Sequence, residues 1–140
     1  MRAITIFGTT ALTAALFAGI AFSEGNGAHP LIDTQWTLTT LNGSATPEGV
    51  TSTLRFGEDA IGGNGGCNTF GGSVAFEGET GLDISQIFST MMACEPPKQD
   101  QEHAFFRALE ATTRFTLEDD TLTLLSEDGE TLAALKPASD

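Results

Sequence analysis

Residues 62–73 read G-G-N-G-G-C-N-T-F-G-G-S, with six glycines in twelve positions, one cysteine, two asparagines and no charged side chain. Glycine this dense serves a phosphate-cradling loop, a thiol site, or a sheet whose backbone must bend or be closely approached. A phosphate loop of the form G-x-x-x-x-G-K-[ST] needs a lysine after its second glycine. Gly66 and Gly71 have the spacing, but Gly72 stands where that lysine is required. The dinucleotide fingerprint fails too, because Asn68 takes the third glycine position after Gly63 and Gly65, and the flanks alternate as strands. The architectural use remains: a β-bulge and sharp bend entered at Gly62-Gly63 and left at Gly71-Gly72, with Asn64 and Asn68 hydrogen-bonding nearby backbone.

Outward from this block, period-two alternation predicts strands at Thr34 to Leu41, Thr51 to Phe56, Ala60-Ile61, Thr69 to Phe76 and around Leu82, Ile84 and Ile87. After Glu95-Pro96-Pro97 the period changes. Phe105, Ala108, Leu109 and Thr112 fall at i, i+3, i+4 and i+7, which predicts one helix from about Asp100 to Ala111, with Pro97 and Asp100 at its start. Strands return at Arg114 to Leu117, Thr121 to Leu125 and Thr131 to Lys136, separated by turns at Asp119-Asp120 and Asp128-Gly129. The pattern predicts a mostly β (α+β) fold: a small antiparallel sheet of about eight short strands, curled or barrel-like, with one α-helix packed on it.

The start of the chain has its own signal. Arg2 precedes an apolar stretch that is nearly continuous from Ala11 to Phe22, and Ala21 and Ser23 suit a signal peptidase site. Residues 1–23 are expected to be a signal peptide cut after Ser23 or after Ala21, 24–30 a flexible leader, and 31–140 the domain. The stretch is shorter and more broken than the roughly 20 apolar residues of a spanning helix, so no stable membrane insertion is expected after cleavage. The location is then periplasmic or secreted. A formal charge of −13 repels nucleic acid and anionic lipid, which removes nucleic acid from the expected partners. No run of acids matches the calcium loop D-x-[DN]-x-[DN]-G.

Trp36-Thr37-Leu38, Leu54-Arg55-Phe56, Gly66-Cys67-Asn68-Thr69-Phe70-Gly71, Thr90-Met91-Met92-Ala93-Cys94 and the run from Glu102 to Leu109 together resemble the META domain family, which includes the HslJ-like heat-shock proteins of bacterial envelopes. The motif positions are Trp36, Gly66, Cys67, Asn68, Phe70, Gly71, Thr90, Met92 and Cys94. The resemblance implies a compact antiparallel β fold with one helix. It also implies links to heat induction, antibiotic tolerance and, in some organisms, motility or secretion, with no catalytic residues to carry over. Some relatives are lipoproteins, whereas no cysteine stands directly after the apolar stretch here to accept a lipid.

Cys67 and Cys94 both match family positions, and two thiols in an exported protein generally pair, so a structural disulfide is expected. Two separate buried thiols, or a redox pair, are the alternatives. The second lacks a C-x-x-C spacing or an adjacent cation to lower a thiol pKa. His103 is expected as a solvated helix residue rather than a base for Cys94, His29 as part of the leader, and Met91-Met92 as core filler on a strand. No catalytic, cofactor or metal residue is assigned. The expected function is an exported, non-enzymatic envelope stress or binding factor that acts through its surface on a protein or a small hydrophobic ligand. The alternatives are a small exported enzyme or thiol-redox protein using Cys67 and Cys94, and a structural accessory module without a ligand site.

Overall fold

Alternating β-branched and apolar residues form nine strands: β1 (Thr34–Leu41), β2 (Ser44–Ala45), β3 (Thr53–Phe56), β4 (Ala60–Asn64), β5 (Thr69–Glu77), β6 (Gly81–Ser89), β7 (Arg114–Glu118), β8 (Thr121–Leu125) and β9 (Thr131–Pro137). One helix, α1 (Pro96–Ala111), interrupts them. The computed structural model describes residues 29–138, so the expected signal peptide and all of the leader before His29 lie outside the described residues.

The strands make one antiparallel sheet in the order β2-β1-β3-β4-β5-β6-β7-β8-β9, and β1 pairs again with β9. The sheet is therefore ring-like, and each inward row faces the same interior. Trp36, Leu38, Leu54, Phe56, Phe70, Val74, Leu82, Ile84, Phe115, Leu122, Leu124 and Leu135 are buried there, with Phe105 and Leu109 of α1. The ring is thin between β6 and β7, where one residue pair, Gly81 opposite Arg114, joins the strands. Tight turns set the hairpins. Asn42 and Gly43 both have positive φ (53° and 87°), as do Asp119 and Asp120 (52° and 60°), as a type I′ turn requires.

The structure differs from the expectations at four points. Ser44–Ala45, assigned to no strand from the sequence, pairs with Thr40 and Leu41 as a ninth, two-residue strand. The helix starts four residues early, at Pro96: proline lacks the N–H that a first turn leaves unbonded anyway, and Asp100 lies one turn inside. The glycine block is a hairpin rather than a bend, with Gly62 opposite Gly71 and Ile61 opposite Gly72. Its irregularity falls one strand away, where β6 bulges at Gln86 (φ 58°) opposite Gly72. Lastly, packing begins at His29, inside the expected leader: its ring stacks on Phe76 with centroids 4.1 Å apart and meets Phe115 edge-on at 5.5 Å.

Candidate functional site

The β4–β5 turn, the segment after β6 and the first half of α1 converge at one corner. Gly66 needs its glycine, with φ at 128° and a would-be Cβ 3.1 Å from the Lys98 carbonyl oxygen. Gly65 needs its own because α1 approaches closely; a Cβ there would stand 2.8 Å from the Glu102 side chain. Glu102 is the hub. Only 2% exposed, its carboxylate accepts the backbone N–H of Cys67 (3.0 Å) and that of Asn68, and the Asn68 side-chain amide donates to its other oxygen at 2.7 Å. A buried carboxylate with several donors is compensated for its lost water.

Asn68 passes the connection on. Its Oδ1 accepts the Met92 N–H (2.7 Å) and the Thr90 hydroxyl (2.9 Å). Gln101 donates to the Ser52 hydroxyl (2.8 Å), and Ser52 donates to the Gly65 carbonyl (2.7 Å). Cys67 and Cys94 are joined as a disulfide, their Cα atoms 5.9 Å apart. The Cys94 N–H donates to the Gln99 side chain at 3.0 Å. The backbone of residues 90–94 is therefore pinned by a covalent link, by Asn68 and by α1.

The side chains of that pinned segment face outward. Met91 is 92% exposed, Met92 58% and Phe88, just upstream, 69%. This overturns the core-filler reading of Met91-Met92: they follow the end of β6 and lie on no strand, so strand alternation does not bury one of them. With exposed His103 of α1 they line a cleft of about 320 Å³.

Of the motif positions, Gly66, Cys67, Asn68, Thr90, Met92 and Cys94 meet at this corner. Trp36 and Phe70 serve the core instead; the Trp36 indole donates to the Thr34 hydroxyl, and Phe70 packs edge-on against Phe105. Gly71 lies under the Phe88 ring. Sequence reasoning gave Glu102 no role. Its signal was a charged residue at i−3 from Phe105 and i−7 from Leu109, on the stripe that faces the core.

Among the described residues no three His, Cys, Asp or Glu side chains gather where they could hold a metal ion, and no helix is long and apolar enough to cross a membrane. Burial pushes the His29 pKa below its ordinary value near 6.5, with the Glu79 backbone carbonyl opposing in part. Its Nδ1 accepts the Leu31 N–H at 3.2 Å, and its Nε2 is buried without a hydrogen-bond partner among the described residues. His29 lies beside a second cleft, of about 640 Å³, lined also by Glu79, Phe115 and Leu117.

A family model described as META domain matches residues 29–139. No curated protein matches the chain. The fold is shared with an NMR structure of a protein from Burkholderia xenovorans, 22% identical, at a TM-score of 0.66 over 94% of this chain and 99% of that one. A second NMR structure, 23% identical, superposes at a TM-score of 0.60 over 76% of this chain and 91% of that one.

Proposed function

This chain belongs to the META domain family, and we propose that it is an exported, non-enzymatic binding factor of the cell envelope whose working surface is the corner built by Phe88, Met91 and Met92. One observation carries the reading. Three large apolar side chains stand in water within five residues, while strand pairing holds the backbone at Phe88 and the disulfide and Asn68 hold it at Met91 and Met92. Exposed apolar clusters of this kind mark contact surfaces, and pinning the main chain lowers the ordering cost of binding. Methionine, unbranched and polarizable, suits a surface that adapts to its partner. The favoured occupant is a protein.

Export is supported by the apolar stretch from Ala11 to Phe22 and by the disulfide, since small disulfide-bonded domains belong to oxidising compartments. The test is a photo-crosslinking amino acid in place of Met91, irradiated in the cell that makes the protein. A discrete protein adduct is expected, lost when Phe88 and Met92 are both changed to Ser. A folded, exported variant that yields no adduct would sink the proposal.

A further inference from the structure

Four residues on four neighbouring strands stand in one cross-strand row: Arg55 of β3 opposite Gly62 of β4, Gly62 opposite Gly71 of β5, and Gly71 opposite Phe88 of β6. Their strand neighbours Leu54, Phe56, Ile61 and Phe70 are in the core, so alternation puts the row on the outer face. Its two middle positions have no side chain, and both flanking residues lean in over them. A Cβ on Gly62 would lie 2.5 Å from an Arg55 guanidinium nitrogen, and one on Gly71 would lie 2.7 Å from the tip of the Phe88 ring. Strands are spaced about 4.8 Å apart, so a cation and an aromatic ring are drawn together over a floor two strands wide.

The cleft at this row is about 430 Å³, within the range of small-molecule sites. The hydroxyl-bearing residues Thr69, Ser89 and Thr90 also line it, and Arg55 is its one charged lining residue. That is notable in a chain with nineteen carboxylates against six Lys and Arg. A cleft that is positive in an otherwise acidic molecule selects an anion. Phe88, 69% exposed even with its tip on Gly71, has ring surface left for a planar group.

We propose that this row binds a small aryl carboxylate, with the carboxylate paired to Arg55 and the ring stacked on Phe88. The guanidinium fork offers a carboxylate two parallel N–H donors, and an exposed phenyl ring takes an offset-stacked partner. The glycines are then part of the site: a side chain at 62 or 71 would lift Arg55 or Phe88 off the sheet and fill the floor. The site shares Phe88 with the docking corner proposed above but uses neither Met91 nor Met92, so the two proposals fail separately.

The test is titration of the full chain with phenylacetate, followed by heteronuclear NMR, beside acetate and benzyl alcohol as half-ligands. Saturating amide shifts centred on Gly62, Gly71 and Phe88 are expected, with each half-ligand binding at least about tenfold more weakly. Arg55→Gln and Phe88→Ala should each weaken phenylacetate by about tenfold, and Met91→Ser should leave it unchanged. Thermal midpoints verify that the variants are folded; if Arg55→Gln is not, Arg55→Lys keeps the charge, loses the fork and should bind with reduced affinity. Shifts that do not saturate, that centre elsewhere, or that persist at full affinity in the Arg55 variant overturn the proposal, as does benzyl alcohol binding equally well.

Discussion

The glycine corner and the C-terminal meander are built on opposite principles. In β7, β8 and β9 the inward residues Phe115, Leu122, Leu124, Ala133 and Leu135 are at most 3% exposed, and plain alternation explains each. At the corner, the buried residues include Ser52, Asn68, Gln101 and Glu102, joined to one another and to main chain by hydrogen bonds. Apolar packing is forgiving of detail and tolerates substitutions of similar volume. A buried polar network is not, because a donor stranded by the loss of its acceptor keeps its full desolvation cost. The corner is thus shaped with more directional constraint than the rest of the ring, and it carries the most exposed large apolar side chains among the described residues, with Leu117 of β7 the meander's one exposed counterpart.

Glu102→Ala is the sharpest way to break the contrast. It strands three donors at once, and a loss of about 4 kcal/mol is expected in urea unfolding. Glu102→Gln keeps one acceptor and should cost about half as much; equal losses would show that charge, not hydrogen bonding, governs the hub. Opening the disulfide with the Cys67→Ala, Cys94→Ala pair comes next, at about 3 to 4 kcal/mol on loop-closure grounds. Hydrogen exchange should then quicken at 65–68 and 90–94 and stay slow in β8 and β9. Uniform quickening would mean the two regions are not energetically distinct. Leu124→Ala should cost about 3 kcal/mol from the meander side, leaving the Met91 and Met92 amide shifts near their original positions.

The smallest effect is the pH response of His29. Its folded pKa lies below the ordinary value, so the unfolded chain takes the proton first as pH falls below about 6.5. The stabilisation is complete above that point and drains away as pH falls through the folded pKa. Thermal midpoints of the wild type should therefore decline more steeply between about pH 7 and pH 5 than those of His29→Phe, measured side by side. Parallel curves would show that the stacking on Phe76 exerts no hold on the imidazole charge.

The same division governs what could be read from residues alone. Thr34–Leu41 and Thr121–Leu125 were legible to the residue, because burial on one face imposes a period of two. The stripe of Phe105, Ala108 and Leu109 announced the helix, while its first turn was hidden behind prolines that end helices as readily as they begin them. Ring closure through β1 and β9 leaves no local mark, since pairing partners nearly a hundred residues apart share no pattern. At the corner, cysteines and glycines pointed to architecture, yet Glu102 resembled any surface acid until its place on the buried stripe was counted. The exposure of Met91 and Met92 was illegible because it depends on where β6 stops, which Asn68 and the disulfide decide from a distance.

The pairing of Leu38 with Leu135 and of Leu41 with Ala133 bears on the birth of the molecule. Thr34–Leu41 is made some ninety residues before the strand that closes the ring on it, and until Thr131–Pro137 emerges one flank of Thr34–Leu41 has nobody to hold. A chain caught halfway would offer that flank to any extended neighbour, so a chaperone that shields unpaired edges should make its greatest difference in the interval before Thr131–Pro137 is released.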